Sequence, residues 1–169
     1  MRIKVATFVY CLICNSPVCF FLCLAASITG ASVFADGVLT IHFRDIGWLN
    51  MLYNFLVGFT IAMLIGTCVP LTKIGRWFTA LFHVKNDTYT GNMPYRLLAT
   101  FIITLIYYVA ITPTLTLFNY FVLKIYSTPE QCGISFLVNI PIMLLVGFVS
   151  SLINDIAAYK VAHMIDSDF

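Results

Sequence analysis

Asp155 is the single acidic residue inside any long apolar stretch of this chain, so chemistry is sought there first. A carboxylate at membrane depth is expensive, and by default it suggests a proton or cation relay, or a counter-charge for a substrate. Asn154, Ser151 and Thr67 are the polar neighbours that would complete such a site. The competing reading puts Asp155 in the last turn of its helix, where it reaches headgroup water or pairs with Lys160. A second polar set is formed by Asn54, Asn139 and Asn119, expected toward the opposite ends of their helices. Their amides either bond across helices as simple glue or line a pocket shared between two halves of the protein.

Other chemistry is poorly supplied. Cys11-x-x-Cys14 is half of a metal or redox site, and no second pair or nearby His completes four ligands. Cys19, Cys23 and Cys68 read as small apolar residues and Cys132 as an isolated thiol, so no metal or cofactor is expected. His42, His83 and His163 fall in loops or at helix ends. With no paired acid and base and no activated nucleophile, no catalytic residue is assigned and the chain is not read as an enzyme. The formal charge is +2 and no run of five Lys or Arg occurs, which gives no footing for a nucleic-acid partner.

The elements that must position these residues are membrane helices. Of 169 residues, 61% are hydrophobic and 9% charged, far below the roughly 25% charge of soluble domains. Four apolar stretches, about 17–35, 47–71, 96–121 and 133–158, each approach the ~20 residues a spanning helix requires. Ser16 and Pro17 read as the cap and first turn of the first span, with the apolar run 5–14 as an extra turn or two at the interface. Asp36-Gly37 reads as a turn. Pro113 falls at mid-depth of the third span and Pro141 near the start of the fourth. Segment 85–92 reads as an exposed loop, and 76–84 as an amphipathic interfacial continuation of span two.

Orientation follows from the positive charges. Arg2, Lys4, Lys73, Arg76, Lys85, Arg96 and Lys160 share one face, and only Arg44 and Lys124 lie on the other. The basic face is therefore expected in the cytoplasm, with both termini, in a multi-pass protein of the plasma (inner) membrane. The competing reading is a signal peptide cleaved before Asp36, because Val33-Phe34-Ala35 satisfies the small-residue rule.

Sliding the chain so that Asn54 lies on Asn139 places Gly58, Ala62, Gly66 and Pro70 on Met143, Gly147, Ser151 and Asp155. Residues spaced by four share one helix face. Small side chains there let helices approach closely, and Ala26 with Gly30 gives span one a similar face. The expected fold is an all-α integral membrane domain over residues 1–169. Its four spans form two tandem helical hairpins related as a parallel repeat, with unit one about 17–84, a linker about 85–95 and unit two about 96–165. The segments Asn54-Phe-Leu-Val-Gly-Phe-Thr-Ile-Ala-Met-Leu-Ile-Gly with Pro70-Leu-Thr-Lys73, and Asn139-Ile-Pro-Ile-Met-Leu-Leu-Val-Gly-Phe-Val-Ser-Ser with Lys160, resemble small bacterial membrane proteins. Those proteins are built from a tandem two-helix domain of unknown function, so the resemblance implies a fold and no activity. Span four departs from the pattern at Asn154-Asp155, where the first unit has Val69-Pro70.

Two functional classes follow. The favoured one is a non-catalytic protein that binds or stabilises a partner membrane protein or a second copy through its small-residue faces. The alternative is a small transporter or permease-like unit, taken as a dimer because four helices seldom enclose a pathway alone, with a polar site between the repeat units. The lipid bilayer is the surrounding partner in both.

Overall fold

The computed structural model describes residues 2–30, 32–35, 38–41, 47–84 and 92–166. In chain order these form α1 (Arg2–Gly30), β1 (Ser32–Ala35), β2 (Val38–Ile41), α2 (Trp48–Cys68), α3 (Leu71–Leu81), α4 (Met93–Phe121) and α5 (Pro129–Ile165). Four segments are long and apolar enough to cross a membrane: Val5–Ile28, Trp48–Cys68, Met93–Phe121 and Asn139–Ile165. Their outward faces are apolar: Leu56, Leu64, Val109, Leu117, Leu145 and Ile153 are each more than half exposed. In water that surface would drive aggregation, and in lipid it is ordinary. The fold is that of a multi-pass, helical membrane protein.

One expected span differs. Helix α1 runs from Arg2 to Gly30 rather than over 17–35, so the run 5–14 belongs to the same apolar helix and Ser16 and Pro17 lie inside it instead of starting it. Pro17 removes one backbone hydrogen bond, whereas ending the helix there in lipid would orphan several groups. Residues 32–35, expected to finish that span, pair antiparallel with 38–41, from Ser32 opposite Ile41 to Ala35 opposite Val38. The runs Ser-Val-Phe-Ala and Val-Leu-Thr-Ile are rich in β-branched and aromatic residues, which favour an extended ribbon. The all-α expectation thus holds for the spans and not for this ladder between α1 and α2. The expected fourth span, 133–158, lies within α5, which runs unbroken through Pro141. The expected turn Asp36-Gly37, His42, Arg44 and segment 85–91 lie outside the described residues.

Helix ends obey local chemistry. Thr128 caps α5 by accepting from Gln131 N, Pro129 takes the first position, and Gln131 Oε1 accepts from Ser127 N at 3.1 Å. Asn92 caps α4 in the same way, accepting from Tyr95 N, with Pro94 in the first turn. Val69-Pro70 breaks the chain after α2, and α3 is a separate helix. It rests on α4 through Gly75, close to Ala99, and through the buried Thr79, and it exposes Arg76 and Trp77. The interfacial piece expected after span two is therefore a helix in its own right.

The spans form a ring in the order α1, α2, α4, α5, and the α1–α5 contact that closes it is the most extensive. Each neighbour runs antiparallel. Along α1 and α2, Asn15 meets Ala62 and Cys11 faces Gly66. Along α1 and α5, Tyr10 meets Asp155 and Leu22 faces Gly147. Gly58 of α2 packs on Ile111 and Leu115 of α4, and Arg96 of α4 reaches Leu152 of α5. The small-residue stripes are thus spent inside the bundle: Gly58, Ala62, Gly66 and Gly147 all abut neighbouring helices of the same chain. Ala26 faces the interior, and the surroundings of Gly30, which ends α1, lie outside the described residues.

Candidate functional site

The ring encloses a cavity of about 130 Å³. It begins near Asn15, Thr104 and Ser151 in the middle of the bundle and extends away from the basic end to Tyr126 and Ser135. Every spanning helix contributes: Cys19, Leu22, Cys23 and Ala26 from α1, Asn54 and Ala62 from α2, a long stripe from α4, and Asn139, Met143, Gly147 and Ser151 from α5. The stripe on α4 arises from spacing. Thr104, Tyr108, Thr112 and Thr116 recur every four residues and bring their polar atoms to one side of the largely apolar α4, with Asn119 one turn further.

The polar atoms fall into two groups. Some are partnered: Thr116 donates back to Thr112 O at 2.8 Å, Tyr126 Oη and Ser135 Oγ lie 2.9 Å apart, and Asn139 Nδ2 donates to Ser135 Oγ at 3.3 Å. Asn15 Nδ2 donates to Ala62 O at 3.3 Å and to Tyr107 Oη at 3.4 Å, tying α1 to α2 and α4 at the cavity's inner end. Others are buried without a partner: Asn54 Oδ1, Thr104 Oγ1, Tyr108 Oη and Asn119 Oδ1. All four of those residues line the cavity, and Thr104 is only 8% exposed. A buried polar atom without a hydrogen bond costs about 1–3 kcal/mol, and lipid supplies no water to relieve it.

Among the described residues, no Asp, Glu, Lys, Arg or His lines the cavity. Among the described residues no group of three or more His, Cys, Asp or Glu is placed to hold a metal ion, and all six cysteines are free. Cys19 and Cys23 serve as apolar wall.

The five residues expected to form one polar site are divided. Asn54, Asn139 and Ser151 come together in the cavity, with Asn119 beside them. Asp155 and Asn154 are not on its wall, and neither is Thr67, whose hydroxyl donates to Met63 O within its own helix. Asp155 is also not in the last turn of its helix. Because α5 continues to Ile165, the carboxylate sits about three turns before the helix end, is 3% exposed, and accepts a hydrogen bond from Tyr10 Oη on α1. Arg96, expected as an interfacial cation, is buried as well and donates from Nη2 to Leu152 O at 3.1 Å. These residues fasten the basic end of the bundle, where α1, α4 and α5 meet.

Sequence reasoning passed over Thr104, Tyr108, Thr112 and Thr116, although their four-residue spacing was open to inspection. It also passed over Tyr126, which reaches the cavity only through the turn that carries it. Lys124 adopts φ 51° and Ile125 N reaches Asn119 O at 3.0 Å, folding the 122–128 connection back over the bundle.

No protein-family model, curated protein or solved structure matches the chain, so the cavity and its wall are the footing for any functional reading.

Proposed function

We propose that this chain is a permease-like membrane protein that holds a small solute between its helical pairs. The interior cavity carries this reading, because it gathers unpartnered polar atoms at membrane depth where a merely structural bundle would place apolar side chains. The partner-binding reading that the sequence favoured drew on small-residue faces, and the observed ones are occupied within the bundle. In this reading α1–α2 and α4–α5 are the two tandem hairpins of a parallel repeat, as in the small bacterial proteins the sequence resembles, and Asn54 and Asn139 are corresponding residues facing a common site.

A swelling assay on vesicles containing the purified protein tests this. Vesicles challenged with a gradient of glycerol or urea should swell faster than protein-free vesicles. Gly147→Phe, which drives a ring toward Thr104 and Leu22, should return the rate to background, and Asn139→Ala should alter it. Equal swelling with and without protein would sink the transport reading.

The basic end is proposed to face the cytoplasm of the plasma (inner) membrane, together with both termini. In a cysteine-free background, Ser127→Cys should react with a membrane-impermeant maleimide on intact cells, and Lys73→Cys only after permeabilisation. Both positions are exposed. The opposite labelling pattern would invert the orientation.

A further inference from the structure

The wall of the cavity specifies more than the presence of a solute. Its unpartnered atoms are two amide oxygens, Asn54 Oδ1 and Asn119 Oδ1, and two hydroxyls, Thr104 Oγ1 and Tyr108 Oη. Amide oxygens only accept, so the groups that satisfy them are N–H or O–H donors; the hydroxyls adapt by rotation. Between them the wall is apolar, with Leu22, Ile111 and Met143 among its residues. The occupant therefore has polar groups and a short hydrocarbon body.

Charge is decided by what is missing from the wall. Among the described residues, an ion moved from water into this site would meet no counter-charge and would have to recover its desolvation cost from a few neutral dipoles. Size is decided by volume. About 130 Å³ is comparable to the ~150 Å³ cavity that accepts a benzene-sized guest, which is a molecule of about six heavy atoms.

Among the described residues, Tyr126 belongs both to this cavity and to the surface. Tyr126 lines the cavity, and it also lines a shallow outer groove with Tyr120, Phe121, Lys124 and Ser127. Its hydroxyl lies 2.9 Å from Ser135 Oγ, a neutral clasp that can open without separating charges.

We propose that the cavity is a binding site for an uncharged solute of about six heavy atoms carrying at least two hydrogen-bond donors, a small polyol or amide, admitted past Tyr126. This rests on the permease-like reading for its purpose but not for its test. Binding is measured at equilibrium, so a protein that binds without transporting would end the transport reading and leave the site standing.

The experiment uses the full chain in lipid nanodiscs and ligand-observed saturation-transfer NMR. Glycerol and urea should give saturable signals that compete with each other, whereas lactate and ethylammonium, similar in size but charged, should give none. Asn54→Leu combined with Asn119→Leu keeps side-chain size and should weaken glycerol binding about tenfold, as expected for two lost hydrogen bonds. Tyr126→Ala should speed exchange of bound glycerol while changing its affinity less. Wild-type selectivity decides the matter even if a variant fails to fold. Three results would overturn the proposal: charged analogues binding as well as glycerol, benzene binding while glycerol does not, or no solute binding at all, which would leave a cavity filled with water only.

Discussion

Replacing Gly66 with valine is expected to destabilise the protein by about 3 kcal/mol, and with alanine by about 1–2 kcal/mol, because overpacking a close helix contact typically costs about 1–3 kcal/mol. A Cβ built on Gly66 would lie 2.7 Å from Cys11 Sγ, 2.9 Å from Tyr107 Oη and 3.4 Å from Asn15 Nδ2. Three helices converge there, so no single side chain can move aside without disturbing another contact. Shifting Tyr107 also disturbs its bond from Asn15, and Asn15 holds Ala62 O. Alanine recovers part of the loss, since it is a better helix former than glycine by about 1 kcal/mol. Gly133 supplies the contrast: nothing lies within 4 Å of its would-be Cβ, so Gly133→Ala should be neutral or slightly stabilising. Adding Cys11→Ala to Gly66→Ala removes the nearest clash and should restore about half of the loss, a coupling expected of residues in contact. Reversible unfolding in mixed detergent and SDS measures all four. If Gly66→Ala behaves like Gly133→Ala, the close approach is wrong.

Gly66 was legible in the sequence as a packing residue, because its spacing from Gly58 and Ala62 marks one helix face. Its partners were not, since hydrophobic patterning says which face is buried and not against what. The same limit explains the displaced first span. Residues 5–14 and 17–28 are equally apolar, and Ser16-Pro17 carries the ordinary signature of a helix start in water. In lipid that signature loses its force, because a helix that stopped there would strand backbone groups with no solvent to bond them. The strands at 32–35 and 38–41 were hidden for a related reason: a short apolar run beside a helix reads as more helix until something pairs with it.

The candidate site was half legible. Asn54 and Asn139 stood out as isolated amides in apolar surroundings, and the structure brings both to the cavity. Thr104, Thr112 and Thr116 did not stand out, because threonine in a membrane helix commonly bonds its own backbone, as Thr116 does. Thr104 is the exception, and only tertiary structure shows that its hydroxyl is left to face a cavity. Asp155 was conspicuous, but its surroundings were not legible. Its helix end was placed at about residue 158, and seven more residues of α5 take the carboxylate out of the last turn, where it meets Tyr10 of α1.

That relocation makes Asp155 the second large expectation. Asp155→Ala should destabilise the protein by about 3 kcal/mol, the scale for losing a buried, hydrogen-bonded charge. Tyr10→Phe removes the donor hydroxyl alone and should cost about 1.5–3 kcal/mol, since hydrogen bonds to charged groups exceed neutral ones. Asp155→Asn keeps an acceptor for Tyr10 and should cost less than Asp155→Ala. Arg96 sharpens the test. Its guanidinium is anchored on Leu152 O, one turn of α5 before Asp155, so a buried guanidinium and a buried carboxyl group hold the same end of the bundle. Removing either leaves the other in a low-dielectric setting with less compensation. Arg96→Met with Asp155→Leu should therefore destabilise by less than the sum of the single changes. Function should separate from stability. The carboxylate is not on the cavity wall, so Asp155→Asn protein that folds should retain glycerol binding in nanodiscs, while Asn54→Leu with Asn119→Leu should fold and bind glycerol about tenfold more weakly. If instead Asp155→Asn folds normally and abolishes binding, the carboxylate belongs to the site and the division between a charged fastening and a neutral cavity is mistaken.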